Sequence, residues 1–163
     1  MELLIHSKGI QAVDHKDMPT DTRAYVDEVL QFILDNPNEN HVVTSDRRHL
    51  WNLFLRELIP YTRSLDLRIA NPKSADLAAT LTDMLHGQTN VVVCSKPLAL
   101  CGWTARSLPS ICLSSLTVLT ENEALQFASR ARDVPAKYFI RYTQQGITSM
   151  IPAKQVSLSL IHI

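Results

Sequence analysis

Apolar residues recur along this chain at two spacings, and the switch between them predicts its elements. After Pro19-Thr20-Asp21, the residues Val26, Val29, Leu30, Ile33 and Leu34 recur at three and four, the single stripe of an amphipathic helix. That helix ends before Asn36-Pro37, because the residue ahead of a proline is pushed out of the α region. The turn Pro37-Asn38-Glu39-Asn40 feeds a strand, His41-Val42-Val43-Thr44-Ser45. A second helix carries Leu50, Leu53, Phe54 and Leu58, takes Ser45 or Asp46 as its cap, and stops at Pro60. A short strand over 65–70, a helix over 74–86 closed by Gly87, and a strand at Val91-Val92-Val93 follow. The stretch 96–119 is the least legible; it reads as a long loop followed by one strand around Leu116-Thr117-Val118-Leu119. Thr120-Glu121-Asn122-Glu123 is a capping box ahead of Ala124, Phe127, Ala128 and Ala131. After Pro135 the period falls to two: Tyr138, Ile140 and Tyr142 alternate with Phe139, Arg141 and Thr143. Gln144-Gln145-Gly146 is a turn, and Val156, Leu158 and Leu160 resume the alternation, which predicts antiparallel strands at the end.

Strands alternating with helices of this length predict a parallel sheet, since parallel neighbours need a crossover and a helix is the usual one. The expected fold is therefore a single α/β domain of Rossmann-like type, with a mostly parallel sheet flanked by helices and a C-terminal antiparallel hairpin. Residues 1–18 form an edge strand at 2–6 and an arm; 19–163 form the domain.

Such folds carry chemistry on the loops after the strands. Here those loops read Thr44-Ser45-Asp46 and Cys94-Ser95-Lys96-Pro97, with no glycine in either. A phosphate loop needs glycines whose backbone N–H groups cradle the phosphates, and no such spacing exists, so no nucleotide cofactor is expected. Ser45, Asp46 and His49 have the residue types of a nucleophile–base set, but a helix-opening serine or aspartate is usually a cap. Cys94 follows an apolar run that would raise its thiol pKa, so it reads as a core residue. The six histidines show no metal-ligand spacing with cysteine or glutamate, and no metal is expected.

Acids and bases balance at 16 each, which argues against non-specific nucleic-acid binding. No apolar run approaches the roughly 18 residues that cross a membrane. Met1–Ile5 is followed too soon by Asp14, His15 and Asp17 to be a signal peptide, so Cys94, Cys101 and Cys112 read as reduced, cytoplasmic thiols. Trp51 and Phe54 share a helix with Arg47, Arg48 and Arg56, and its apolar positions exceed one stripe. Aromatic residues and arginine on an exposed face are the composition of an interface hot spot.

Several segments resemble the SulA-type cell-division inhibitors of bacteria. Thr44 closes a short strand like the family's Trp-x-Leu-Trp-x-Thr-Pro, and Ile59-Pro60-Tyr61-Thr62-Arg63 is similar to Leu-Pro-Leu-Thr-Lys at the same distance. Asn71-Pro72 falls where relatives have Ser-Pro, and Leu85-His86-Gly87 before Val91-Val92-Val93 resembles Leu-Arg-Thr-Gly before Val-Val-Ile. Leu119-Thr120-Glu121 and Tyr138-Phe139-Ile140-Arg141 resemble Leu-Thr-Glu and Phe-Ile-Met-Arg. The 96–119 connection is longer than in the family, Ser45 replaces a proline, and the tryptophans flanking the first strand are absent. The resemblance implies a RecA-like fold without a phosphate loop and a stoichiometric inhibitor, not an enzyme, that binds FtsZ and blocks its polymerisation in the SOS response to DNA damage. It implies partner contacts at Asn38, Val43, Leu53 and Arg63, with Trp51 able to supply the family's aromatic in place of Leu53. It also implies turnover by the Lon protease through a C-terminal signal at His162, and homodimerisation stays open. Two alternatives remain: a small α/β enzyme or nucleotide-binding protein using loops 44–46 and 94–97, and an adaptor for another protein.

Overall fold

A computed structural model describes residues 12–14, 22–72 and 77–151. Its strands are β1 (Ala12–Asp14), β2 (His41–Ser45), β3 (Ile69–Ala70), β4 (Val91–Ser95), β5 (Ile111–Ser115), β6 (Leu119–Thr120), β7 (Ala136–Gln144) and β8 (Ile147–Ile151). Its α-helices are α1 (Thr22–Asp35), α2 (Arg48–Leu58), α3 (Leu77–Leu85), α4 (Lys96–Leu100) and α5 (Glu121–Ala128). The sheet runs β1-β8-β7-β5-β2-β4-β3, with β6 on the side of β7. Strands β3, β4, β2, β5 and β7 are parallel; β8 and β1 add antiparallel at one side.

Alternation along the central strands divides the core into two layers. Val43, Val91 and Val93 face α1 and α2, packing against Val26, Val29, Ile33, Leu50, Phe54 and Leu58. Val42, Val92, Ile111, Leu113, Tyr138 and Ile140 face α3, α4 and α5 through Leu77, Met84, Ala99, Ala124 and Phe127. Both faces of β2 and β4 are covered, so β4 reads as an apolar run and β2 buries His41, Thr44 and Ser45 beside its two valines.

Several boundaries move from the sequence expectation. The helix expected to stop at Pro60 ends at Leu58, and Ile59–Tyr61 form one further 3-10 turn with the proline inside it. A proline early in a helical turn loses no hydrogen bond, because its N–H would have been free there. Neither Ser45 nor Asp46 caps α2; Arg47 holds the N-cap with no side-chain bond. The strand expected over 65–70 is only Ile69–Ala70. In 96–119 the expected loop holds α4 and the central strand β5, while Leu116-Thr117-Val118-Leu119 supplies only the start of β6. The sequence Ile-Cys-Leu-Ser-Ser is half small polar, and its burial comes from being sandwiched between β2 and β7. The capping box forms as expected: the Glu123 N–H donates to Thr120 Oγ1 at 3.1 Å and the Thr120 N–H to Glu123 Oε1 at 3.0 Å. The hairpin also forms, around Gln145 and Gly146 at φ 53° and 79°. Its second strand is Ile147–Ile151, immediately after the turn. The strand expected at Val156, Leu158 and Leu160, the edge strand at 2–6 and the start of the 74–86 helix lie outside the described residues.

Candidate functional site at the amino edge of the sheet

The parallel strands give the domain two unlike edges. At the carboxyl edge, Thr44 stands in register with Cys94 on β4 and Ser115 on β5. Chain order makes this the switch point: after β2 the chain crosses on the α2 face, after β5 on the other, and such divergence normally opens a ligand crevice. Here the Leu116 N–H donates to the Thr44 carbonyl at 2.8 Å and ties the two strand ends together. The Arg47 N–H donates to Ser45 Oγ at 3.0 Å, and Trp51 Nε1 donates to the Ser45 carbonyl at 3.0 Å. The turn after β2 therefore spends Ser45 on its own backbone. Ser45 is fully buried and serves this turn, and no described hydrogen bond joins it to His49 or Asp46. Burial pushes the Cys94 thiol up to about 12, so it is no thiolate at neutral pH. The hydroxyls of Thr44, Ser114 and Ser115 are buried without a hydrogen-bond partner.

The amino edge is held by side chains. Asn90, buried at the entry to β4, donates through Nδ2 to the Pro37 carbonyl at 3.0 Å and the Glu39 carbonyl at 3.2 Å. Its Oδ1 accepts the Arg68 N–H at 2.7 Å. One residue thus fixes the α1–β2 turn and the approach to β3. Lys137 on β7 donates to Asn36 Oδ1 at 2.9 Å and pairs with Glu39 at 2.8 Å. His41 Nε2 lies 2.7 Å from the Asn36 carbonyl, its ring edge-on to Phe32. Burial lowers the His41 pKa to about 4, although its bond to Asn36 works the other way. Cys112, in register between His41 and Lys137, donates to Glu39, and burial again raises the thiol pKa.

This edge carries an exposed apolar turn. Ile59 is 60 % exposed and Tyr61 36 %, with Pro60 between them and Arg63 exposed two residues on. The buried stripe of α2 is Leu50, Phe54 and Leu58, a strict spacing of four, so Ile59 falls off it; Tyr61 would continue it and is exposed where the α-helix has given way to the 3-10 turn. For Ile59 that offset from the stripe is a signal present in the sequence; for Tyr61 there is none.

The five expected contact residues do not converge. Asn38 and Arg63 are exposed on segments of the amino edge. Val43 is fully buried in the middle of β2, packed in the α1–α2 layer, and offers nothing to a partner while the domain is folded. Trp51 and Leu53 are half-buried against the same layer. Trp51 is bonded toward the carboxyl edge, about 10 Å along the helix from its end at Leu58 at 1.5 Å per residue, with Arg63 beyond that end. His162 lies outside the described residues. Among the described residues no three of His, Cys, Asp and Glu are placed to hold a metal ion, and no helix is long and apolar enough to cross a membrane.

No protein-family model and no curated protein matches the chain. Solved structures do. The C-terminal domain of the DEAD-box protein Dbp5 is similar at 11 % identity and a TM-score of 0.53, over 76 % of this chain and 71 % of that one. The fold is RecA-like. The C-terminal part of the Fun30 ATPase domain aligns at 12 % identity and a TM-score of 0.48, over 74 % of this chain, which spans about two fifths of that structure (41 %). At 11 % identity the likeness to the Dbp5 domain is one of fold: a single RecA-like α/β domain with a mostly parallel sheet.

Proposed function

We propose that this chain is a binding module that acts stoichiometrically on a protein partner rather than by turnover of a substrate. The observation that carries this is the exposed Ile59-Pro60-Tyr61 turn with Arg63 beside it, an apolar, aromatic and guanidinium set of hot-spot composition. The loop after β2 supports it, because it has no glycine and spends Ser45 on its own backbone. FtsZ is the partner that the SulA-type resemblance names, and Arg63 is the family contact that is both matched in charge and exposed. Buried, reduced Cys94 and Cys112 fit a cytoplasmic protein. Sedimentation with FtsZ tests the reading: polymer and GTPase activity fall together in proportion to the molar ratio of this chain. Unchanged pellet and turnover at a several-fold excess would remove FtsZ as the partner.

A second reading rests on Arg132, which holds φ 54° and ψ −127° without being glycine. Backbone held in so sparsely populated a region costs about 1–3 kcal/mol and clusters at functional sites. Arg130 lies beside it, donating only to the carbonyls of Gln126 and Trp103, and its pKa is lowered by burial and then by the charge of Arg132. Paired guanidinium groups suit a phosphate. On this reading the two arginines hold a nucleotide phosphate in a domain whose fold is like that of the C-terminal domain of the DEAD-box protein Dbp5. Saturable ATP or GTP binding that Arg130→Ala and Arg132→Ala abolish would put this reading first.

A further inference from the structure

We propose that the turn between α1 and β2 is an acid-sensitive latch: protonation of His41 frees residues 36–41 from the sheet while the rest of the domain stays folded, and this uncovers the Cys112 thiol. The turn is fastened to a row of three side chains. His41, Cys112 and Lys137 are in register on β2, β5 and β7, so they stand side by side on one face of the sheet. The end of α1 covers that face. The Phe32 ring meets His41 edge-on, and the Asn36 carbonyl lies 2.7 Å from His41 Nε2. Lys137 Nζ donates to Asn36 Oδ1 at 2.9 Å and to Glu39 Oε2 at 2.8 Å. The Cys112 thiol donates to the same Glu39 oxygen at 3.5 Å.

The weak point of this fastening is the other nitrogen of His41. A carbonyl only accepts, so Nε2 carries the ring proton and Nδ1 is left as a bare acceptor. Nδ1 is buried and has no hydrogen-bond partner. A second proton can enter only there, and the imidazolium it makes finds no acceptor for its new N–H. No unengaged anion faces the ring either. From α1, Asp35 is exposed and bonded to Gln31; from the turn, Glu39 is already shared by Lys137 and Cys112. From β5 comes a neutral thiol, and from β7 the Lys137 cation, which repels a second positive charge. At the entry to β4, Asn90 spends its amide on the Pro37 and Glu39 carbonyls. A buried charge without a partner is costly, so the charged ring is driven toward water. The strand side of the ring is core, whereas residues 36–40 are half-buried or exposed, so the way out is through the turn. Moving the turn removes Glu39 from Cys112, which is otherwise 1 % exposed. Burial lowers the His41 pKa to about 4, in keeping with this geometry. In the open form the ring returns to its ordinary 6.5, so the open form binds more protons between those values and opening grows as pH falls.

The three thiols make the opening measurable on the full chain. Cys101 is exposed, while Cys94 and Cys112 are buried. A pyridyl disulfide, which labels thiols in acid as well as at neutral pH, is added at steps from pH 7 to pH 4, and peptide masses show which cysteines have reacted. Labelling of Cys112 relative to Cys101 is expected to rise as pH falls, by up to about 300-fold, the ratio of the two His41 acidities. Cys94, in the middle of the sheet, should stay protected throughout. The rise should level off as the His41 ring resonance titrates, and it should vanish in His41→Gln, whose amide does not titrate. Labelling of Cys94 together with Cys112 would mean global unfolding and overturn the proposal. So would an absence of any rise in acid, or a rise unrelated to the His41 resonance, which decides the matter even if His41→Gln does not fold. A rise retained in a folded His41→Gln would assign the opening to Glu39 and overturn it as well.

Discussion

At the carboxyl edge of the sheet, loop groups bond to each other; at the amino edge, side chains fasten the backbone and leave an apolar, cationic turn facing out. Ser45 and Trp51 close the first edge with three hydrogen bonds inside residues 45–51. Asn90, Lys137 and Glu39 brace the second across separations of 22 to 101 residues, so its shape depends on the whole domain. Chemistry in this fold class belongs to the carboxyl edge by rule. Here the edge with interface composition is the opposite one.

The comparison breaks most readily at Asn90. Asn90→Ala leaves the Pro37 and Glu39 carbonyls and the Arg68 N–H without their partner, at a cost of about 4 kcal/mol in urea unfolding, since each orphaned buried group costs about 1–3. A loss below about 1 kcal/mol would mean that Asn90 does not hold this edge.

A pH dependence comes next. His41 is neutral in the fold, with its pKa lowered from 6.5 to about 4, so the unfolded chain binds more protons between those values. Its contribution is complete above pH 6.5 and is lost as pH falls toward 4, on the order of 3 kcal/mol in all. His41→Gln should flatten that part of the stability profile; an unchanged profile would place the dependence elsewhere.

Arg63→Ala separates folding from binding. It should change unfolding stability by less than about 0.5 kcal/mol while weakening partner binding by about 2 kcal/mol, against no effect from an exposed change at Ile147. Equal binding by both variants would remove the Ile59–Arg63 turn from the interface.

The smallest effect sharpens the closed edge. Trp51→Phe keeps the ring packing but removes the Nε1 bond to the Ser45 carbonyl, at about 1 kcal/mol. Faster hydrogen exchange confined to residues 45–49, with partner binding retained, is expected. If binding falls as much as stability does, Trp51 belongs to the interface as well.

Local signals were enough for what depends on neighbours in sequence. The α1 stripe, the end of α1 at Asn36-Pro37, the Thr120–Glu123 capping box, the Gln144–Gly146 turn and the β2 and β4 runs are fixed by periodicity, proline sterics and side-chain-to-backbone bonds of short reach. The strand β5 was not legible, because Ile-Cys-Leu-Ser-Ser has no alternation of its own; position between β2 and β7 makes it a core strand. For the candidate site, the family resemblance pointed to Arg63 and its motif, while the exposure of Ile59 and Tyr61 follows from where α2 gives way to the 3-10 turn. It also included Val43, which lies under α1 and α2, and Trp51, which is bonded toward the other edge. Whether an apolar residue is core or surface depends on what packs over it, and only the tertiary structure settles that. The same holds for the amino edge, where Asn90, Arg68 and Gly87 meet only because β3 and β4 pair; hydrogen bonds between such distant residues leave no period in the sequence.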